Sequence, residues 1–465
     1  MDCGAVKSLV NNTFKEKEPW QIVTITTTTV LGLISSHMNL FKARDYNWKG
    51  GKVSGTVYTN NKKLIDLISD VYGIASYTNP LHPDVFPGVC KMEAEVVRIS
   101  CSLFHGDEES CGTMTTGGTE SILLACKTWR DYARDVKGIK NPEMVMPVTA
   151  HTAFDKAAKF LKIRIRTIPV NPHSQTVSIE AMKSAISGNT IMLIGSTPNF
   201  PYGTMDNIEA ISELGVKYDI PVHVDACLGG FLICFMPDAG FTVAPFDFAL
   251  PGVRSISADT HKYGYAPKGS SVVLYRNEKY RHYQYTVTTD WPGGIYASPT
   301  VNGSRAGGII AACWSSMMYF GYNGYLESTK SIIETTRYIE TELRKMDGIF
   351  IFGTPATSVI ALGSEQFHIY RLSEGLGNKG WNLNPLQFPS GIHLCVTQVH
   401  TQPGVADEFL NDVREILAEI AKNPGVQVEG MLAMYGMSQG LPDRSIVGDF
   451  AKLFLDSVYA TPRSK

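Results

Sequence analysis

The sequence predicts an α/β chain: a large domain on a mainly parallel sheet, a smaller C-terminal α+β domain, and a hydrophobic N-terminal segment. Three observations predict it. Short apolar runs alternate with stretches of helical spacing through most of the chain, the pattern of strands buried between crossover helices. Chemistry-bearing residues stand directly after several of those runs, as at the carboxyl edge of a parallel sheet. At 465 residues and 44% hydrophobic content, the chain is too long for one small core and suits a large domain with a smaller one beside it.

The N-terminal segment rests on Pro19 to Phe41, 23 residues without Asp, Glu, Lys or Arg. As a helix they reach roughly 34 Å, enough for a bilayer core. Thr24 and Thr26 to Thr29 interrupt the apolar residues, and threonine back-bonding makes that tolerable in lipid. Trp20, Lys42 and Arg44 suit interface anchors. A Thr-rich strand or arm is the competing reading. Asn11-Asn12-Thr13 is a glycosylation sequon that matters only with a lumenal N-terminus.

Residues 44–60 are polar and Gly-containing and read as an ordered loop. Helical spacing follows over Lys63–Val71, then the rigid turn Asn79-Pro80-Leu81-His82-Pro83, then a helix over Met92–Leu103. Strand-then-helix units come next: Gly112–Thr116 into Glu120–Ala133, Met144–Pro147 into Thr152–Leu161, and Ile191–Ser196 into Ile208–Lys217. Pro221–Val224 and Ser255–Ala258 are further strands. One long helix over Ala311–Met346 leads to the C-terminal domain, from about residue 347. A net charge of -2 gives no case for nucleic-acid binding. Nine scattered cysteines without CxxC pairs read as reduced thiols and not as a zinc site.

Four constellations carry chemistry, each with a plainer alternative. Lys262, behind the strand Ser255–Ala258 and next to His261, is a candidate amine nucleophile. Schiff-base chemistry needs a neutral amine, which a desolvated lysine supplies; most lysines are solvated surface groups. Asp225 ends the run Val222-His223-Val224, where a carboxylate points into the ligand crevice and can keep a pyridine nitrogen protonated. A structural cap is the alternative. Gly117-Gly118-Thr119 opens a helix after a strand and suits a phosphate, or is a plain turn. His151 follows another strand and can stack on an aromatic ring, although a satisfied core histidine is commoner. Phosphate turn, stacking His, Asp and Lys, in that order, suit a fold type I, aspartate-aminotransferase-like pyridoxal phosphate site.

The chain resembles the sphingosine-1-phosphate lyase family, within the group II decarboxylase-like enzymes, over roughly residues 46–462. SGTVY, NPLHPDVFPG, TTGGTESILLACK, HVDACLGGFL, SISADTHKYGYAPKGSS, DWPGGIYASPTVNGSRAGG and GWNLNPLQFP carry the resemblance. It implies that Lys262 holds pyridoxal 5'-phosphate as a Schiff base, Asp225 pairs with the ring nitrogen, and His151 stacks on the ring. It implies that Gly118, Thr119 and His261 hold the cofactor phosphate, and that Gly303-Ser304 reaches the phosphate of a neighbouring subunit's cofactor in a homodimer. A second cluster, the Thr56 backbone with Tyr58, His82 and Lys268, would take the phosphate of a phosphorylated long-chain base. Without the resemblance, Lys268 reads as a surface loop lysine and Tyr58 as a packing contact.

The implied reaction is a retro-aldol cleavage to a long-chain aldehyde and phosphoethanolamine. The implied location is the endoplasmic reticulum membrane, single-pass, with the catalytic part facing the cytosol. The division expected is 1–45 with the anchor at about 19–41, 46–105 with the substrate-phosphate residues, 106–330 binding the cofactor, and 331–465 as the small domain. Family members place a sizeable linker between anchor and SGxxY segment, whereas Ser54 follows Phe41 by about a dozen residues. Two rival readings follow: an amino-acid decarboxylase on the same fold, and a catalytically impaired, shortened variant acting as a membrane-anchored binding subunit.

Overall fold

A computed structural model describes residues 46–423 and 443–459, with Gly425, Gly436 and Gln439 between them. The expected anchor and the Asn11 sequon lie outside the described residues. No helix among those described is long and apolar enough to cross a membrane. Residues 47–433 form one compact unit.

That unit starts as the ordered loop expected. The loop is tied to residues far along the chain, with Ser54 N–H donating to Asn382 O and Gly55 N–H to Cys395 O at 2.8 and 3.0 Å. Helix α1 spans Lys62–Ala75 and is capped by Asn61, whose side chain accepts from Leu64 N–H. Helix α2, Pro87–Leu103, starts five residues before the expected Met92 because Pro87 occupies its first turn, where a missing N–H costs nothing.

Seven strands build the large sheet: β1 (Cys111–Thr115), β2 (Glu143–Pro147), β3 (Arg164–Ile168), β4 (Thr190–Ser196), β5 (Val222–Asp225), β6 (Val253–Ala258) and β7 (Ser271–Tyr275). Their order is β1-β7-β6-β5-β4-β2-β3. Helices α3 (Gly118–Lys137), α4 (Ala153–Leu161), α5 (Ile179–Ala185) and α6 (Ile208–Tyr218) lie between them. The strands from β6 through β5, β4 and β2 to β3 pair in parallel. β7 runs antiparallel to both β6 and β1. The reason is local: residues 259–270 hold no helix that could cross the sheet, so the chain turns and comes straight back. Because β7 is reversed between them, β1 and β6 point the same way. The turns after β1, β2, β5 and β6 therefore open on one edge of the sheet.

β3 was not foreseen. It is an edge strand of partly exposed residues, its Arg164 and Arg166 paired with Glu143, so it carries no apolar run. The long helix α7 spans Gly307–Leu343, but it is two helices meeting at Gly321, whose φ of 54° and ψ of -174° are not helical. Beyond it, β10 (Phe350–Ile351), β11 (Val359–Gly363), β12 (Asn384–Leu386) and β13 (Gly391–Cys395) form an antiparallel sheet ordered β10-β11-β13-β12. Helices α8 (Tyr370–Asn378) and α9 (Val405–Lys422) follow the chain here. Before α7, a short hairpin pairs β8 (Thr286–Thr288) with β9 (Tyr296–Ser298). Outside the unit of residues 47–433, helix α10 spans Arg444–Val458, with Asp443 accepting from Ser445 N–H.

Candidate active site

The loop after β6 carries Lys262. Lys262 N–H donates to Asp259 O at 3.2 Å and Tyr265 N–H to Lys262 O at 3.0 Å, so the lysine sits on a tight turn. Its Nζ lies 2.8 Å from Asp259 Oδ2, and Asp259 is 4% exposed. Burial pushes the ammonium towards the neutral form, but Asp259 outweighs it and the pKa of Lys262 is raised. Burial likewise works against the Asp259 carboxylate, yet Lys262 and His261 hold its pKa below the ordinary value. The expectation was of a neutral, desolvated amine; the half-buried Lys262 instead has a buried carboxylate 2.8 Å away that favours its charged form. Sequence reasoning missed Asp259, whose one signal was an acid three residues before the lysine.

Asp225 ends β5 and is 6% exposed. It is in register with Ser196 on β4 and Ser257 on β6, so both serines flank it on one face of the sheet. Its Oδ1 accepts from Cys227 N–H at 3.1 Å and from Ser257 Oγ at 3.5 Å.

The glycine turn follows β1. Gly117 has a φ of 153°, which a side chain rarely adopts. A Cβ on Gly118 would lie 2.7 Å from Asp259 Oδ1 and 2.9 Å from Cys227 Sγ, so only glycine lets the start of α3 lie against the lysine loop. Thr119 is exposed beside it. His261 reaches the same place: a Cβ on Gly117 would be 3.7 Å from its Cε1, and its Nε2 is 3.6 Å from Asp259 Oδ2. Burial lowers the pKa of His261, with Lys268 and Lys262 adding to the shift against Asp259.

Glu120, also missed, ties the turn to its surroundings. Its Oε2 accepts from Thr116 N–H and Oγ1 at 2.7 and 2.6 Å, and its Oε1 accepts from Val301 N–H at 3.0 Å. An acid in a first helical turn after Thr-Gly-Gly was the available signal. The segment with Gly303 and Ser304 is thereby fastened to the glycine turn of its own chain. Arg305 N–H donates to Asn79 Oδ1 at 3.1 Å, and a Cβ on Gly303 would meet Tyr296 Oη at 2.5 Å. His151 is exposed after β2, its Nδ1 accepting from Ala153 N–H at 3.1 Å.

Of the second cluster, two members meet. Lys268 Nζ lies 4.8 Å from the centre of the Tyr58 ring, a cation–π contact. Tyr58 is 8% exposed and packs edge-on against Tyr263, the neighbour of Lys262, at 4.9 Å between centroids. Desolvation lowers the pKa of Lys268, and the charge of Lys262 lowers it further. Thr56 adopts a φ of 59°, unusual for a β-branched residue, and its N–H has no acceptor among the described residues. His82 does not join the pair: it is exposed on the turn before α2, and its imidazole makes no hydrogen bond among the described residues.

The residues fit pyridoxal phosphate. An amine, a buried carboxylate and a glycine turn at a helix start share one sheet edge. Three buried hydroxyls there, Thr149 Oγ1, Ser196 Oγ and Thr197 Oγ1, have no partner within the described chain, as expected of groups that face a polar ligand.

The model of the pyridoxal-dependent decarboxylase conserved domain matches residues 47–362. Over 436 residues the chain is 63% identical to the sphingosine-1-phosphate lyase of Drosophila melanogaster, covering 94% of this chain and 79% of that protein. The sphingosine-1-phosphate lyase of Burkholderia pseudomallei K96243 superposes with a TM-score of 0.78 at 38% identity, covering 87% of this chain and 92% of that one. A Lactobacillus brevis glutamate decarboxylase superposes with a TM-score of 0.71 at 20% identity, over 85% of this chain and 93% of that one; that likeness shows the fold alone.

Proposed function

The chain belongs to the pyridoxal-dependent decarboxylase family and, within it, to the sphingosine-1-phosphate lyases, and on that premise we propose how its own residues carry the reaction. It is a pyridoxal-phosphate-dependent lyase that cleaves sphingosine 1-phosphate to a long-chain aldehyde and phosphoethanolamine. The decarboxylase and impaired-subunit readings are not favoured, since the identity lies with the lyases.

Pyridoxal phosphate, when bound, supplies an aldehyde for amines and an electron-withdrawing ring. Lys262 would hold it, and the Nζ, beside Asp259, would take up and return protons. Asp225 would pair with the ring nitrogen, and His151 would stack on the ring. Gly118, Thr119 and His261 bind the cofactor phosphate, with Gly303 and Ser304 contributed by the second subunit of a homodimer. Lys268 and Tyr58, with the Thr56 N–H and His82, bind the substrate phosphate. The observation that carries this reading is the meeting of Lys262, Asp259 and the Gly117-Gly118 turn at the sheet edge that Asp225 also ends.

We further infer a single N-terminal membrane anchor at about 19–41, in the endoplasmic reticulum with the catalytic part in the cytosol, from the uncharged run and the family resemblance. Incubating the protein with pyridoxal phosphate and sphingosine 1-phosphate tests the reaction. Aldehyde and phosphoethanolamine in equal amounts are expected; carbon dioxide from an amino acid without aldehyde would refute it. Sedimentation of the cofactor-loaded protein tests the dimer, and glycosylation of Asn11 in microsomes tests the topology.

A further inference from the structure

Asp225 is the last member of a row of buried polar groups that begins well away from the site. Trp129, on α3, is fully buried, and its Nε1–H donates to Ser255 Oγ at 2.8 Å. Ser255 Oγ is 2.8 Å from His223 Nδ1, and His223 Nε2 is 3.1 Å from Ser257 Oγ. Ser257 Oγ is 3.5 Å from Asp225 Oδ1, the longest link in the row. The register explains the row: His223 pairs with Ser255 and Asp225 with Ser257 on adjacent strands, and alternation puts all four side chains on one face.

The row has a direction. An indole N–H only donates, so Ser255 Oγ accepts from Trp129. The Ser255 hydrogen then has His223 Nδ1 as its acceptor among the described residues. Burial pushes the pKa of His223 down to about 4, so the ring is neutral at neutral pH. A neutral imidazole that accepts at Nδ1 donates at Nε2. Ser257 accepts that bond and turns its own hydrogen outward. Cys227 Sγ also faces Ser257, but the Asp225 carboxylate is the stronger acceptor. In the opposite direction, Ser257 would present its lone pairs to those of Asp225 Oδ1, a repulsive contact with no hydrogen between them.

We propose that His223 is a positioning residue for Asp225. With Ser255 and Ser257 it forms a one-way relay whose direction Trp129 sets. The relay, together with the Cys227 N–H, occupies one carboxylate oxygen and leaves the other for the cofactor's ring nitrogen. This rests on the assignment of Asp225 to that nitrogen.

The relay can be read without any cofactor. In the cofactor-free protein with ¹⁵N-labelled histidine, NMR at neutral pH should show His223 protonated at Nε2 and bare at Nδ1. The Nδ1–H form in the wild type would overturn the proposal, and that measurement needs no variant. With ¹⁵N-labelled pyridoxal phosphate bound, Ser257→Ala should move the ring-nitrogen signal towards the unprotonated position. It should also lower kcat by about five- to tenfold with KM little changed. His223→Gln, which keeps a donor of similar reach, should recover part of the loss that His223→Leu causes. A folded Ser257→Ala protein with unchanged ring-nitrogen signal and kcat would equally overturn the relay. Asp225→Ala separates the two ideas: a ring nitrogen still protonated in that variant removes the Asp225 assignment, whatever the His223 tautomer.

Discussion

Lys262 Nζ is held 2.8 Å from Asp259 Oδ2, so the lysine proposed to carry the cofactor is paired with the acid three residues before it, on its own turn. Asp259 keeps Lys262 charged and must release it before the amine can attack an aldehyde. The same acid touches the glycine turn through Gly118, so lysine, acid and proposed phosphate cradle are packed as one group.

Asp259→Asn should move the pH profile of Schiff-base formation to lower pH, because burial then acts on Lys262 without its counter-charge. Stopped-flow absorbance after mixing with pyridoxal phosphate measures it; an unmoved profile counts against the pairing. The variant should also lose on the order of 3 kcal/mol of stability near neutrality. The sign follows from both partners. The raised pKa of Lys262 stabilises the fold below its ordinary 10.5, and that contribution is lost as pH rises through the raised value. The lowered pKa of Asp259 stabilises the fold above its ordinary 3.8, and that contribution is lost as pH falls through the lowered value. Both arms of the stability profile should therefore flatten in the variant, which thermal melts across pH will read.

Lys262→Ala should abolish the visible absorbance of the bound cofactor and bring turnover below detection. Retained turnover in the folded variant would remove Lys262 from its role.

Lys268→Gln should raise KM for the phosphorylated substrate by roughly 10- to 100-fold, the worth of a charge-assisted hydrogen bond, with kcat much less affected. Inhibition by inorganic phosphate should weaken in parallel. Because the pKa of Lys268 is lowered, phosphate affinity of the wild type should fall as pH rises through it, and the glutamine variant should lack that dependence. Tyr58→Phe should act in the same direction and more weakly. Equal phosphate inhibition in wild type and Lys268→Gln would remove Lys268 from the phosphate site.

Gly118→Ala should lower both cofactor affinity and melting temperature, since its Cβ would sit 2.7 Å from Asp259 Oδ1. Overpacking of this kind costs about 1–3 kcal/mol. Thr119→Ala, at an exposed position, should leave the melting temperature unchanged while weakening cofactor binding. Fluorescence titration and thermal melts distinguish the two.

The alternating apolar runs were enough to place the large-sheet strands other than β3 and β7 to within a few residues, because a strand buried on both faces admits little but apolar side chains. Since functional side chains in such sheets stand just past those runs, Lys262, Asp225, His151 and the Gly117-Gly118 turn were legible as candidates. β3 was not, because an edge strand needs no apolar run, and the break in α7 was not, because one glycine inside a helical pattern carries no sign of its φ.

Which residues touch was decided only in three dimensions. The reversal of β7 follows from the absence of a crossover helix in residues 259–270, and it brings the ends of β1 and β6 to the same edge. Lys268 meets Tyr58, remote from it in the sequence, while His82, equally conspicuous in the sequence, stands outside that contact. The sequence by itself determined the fold class and the kinds of group at the site. The charge state of Lys262 and the direction of hydrogen bonding behind Asp225 came from burial and strand register, because both depend on neighbours that residue order alone does not reveal.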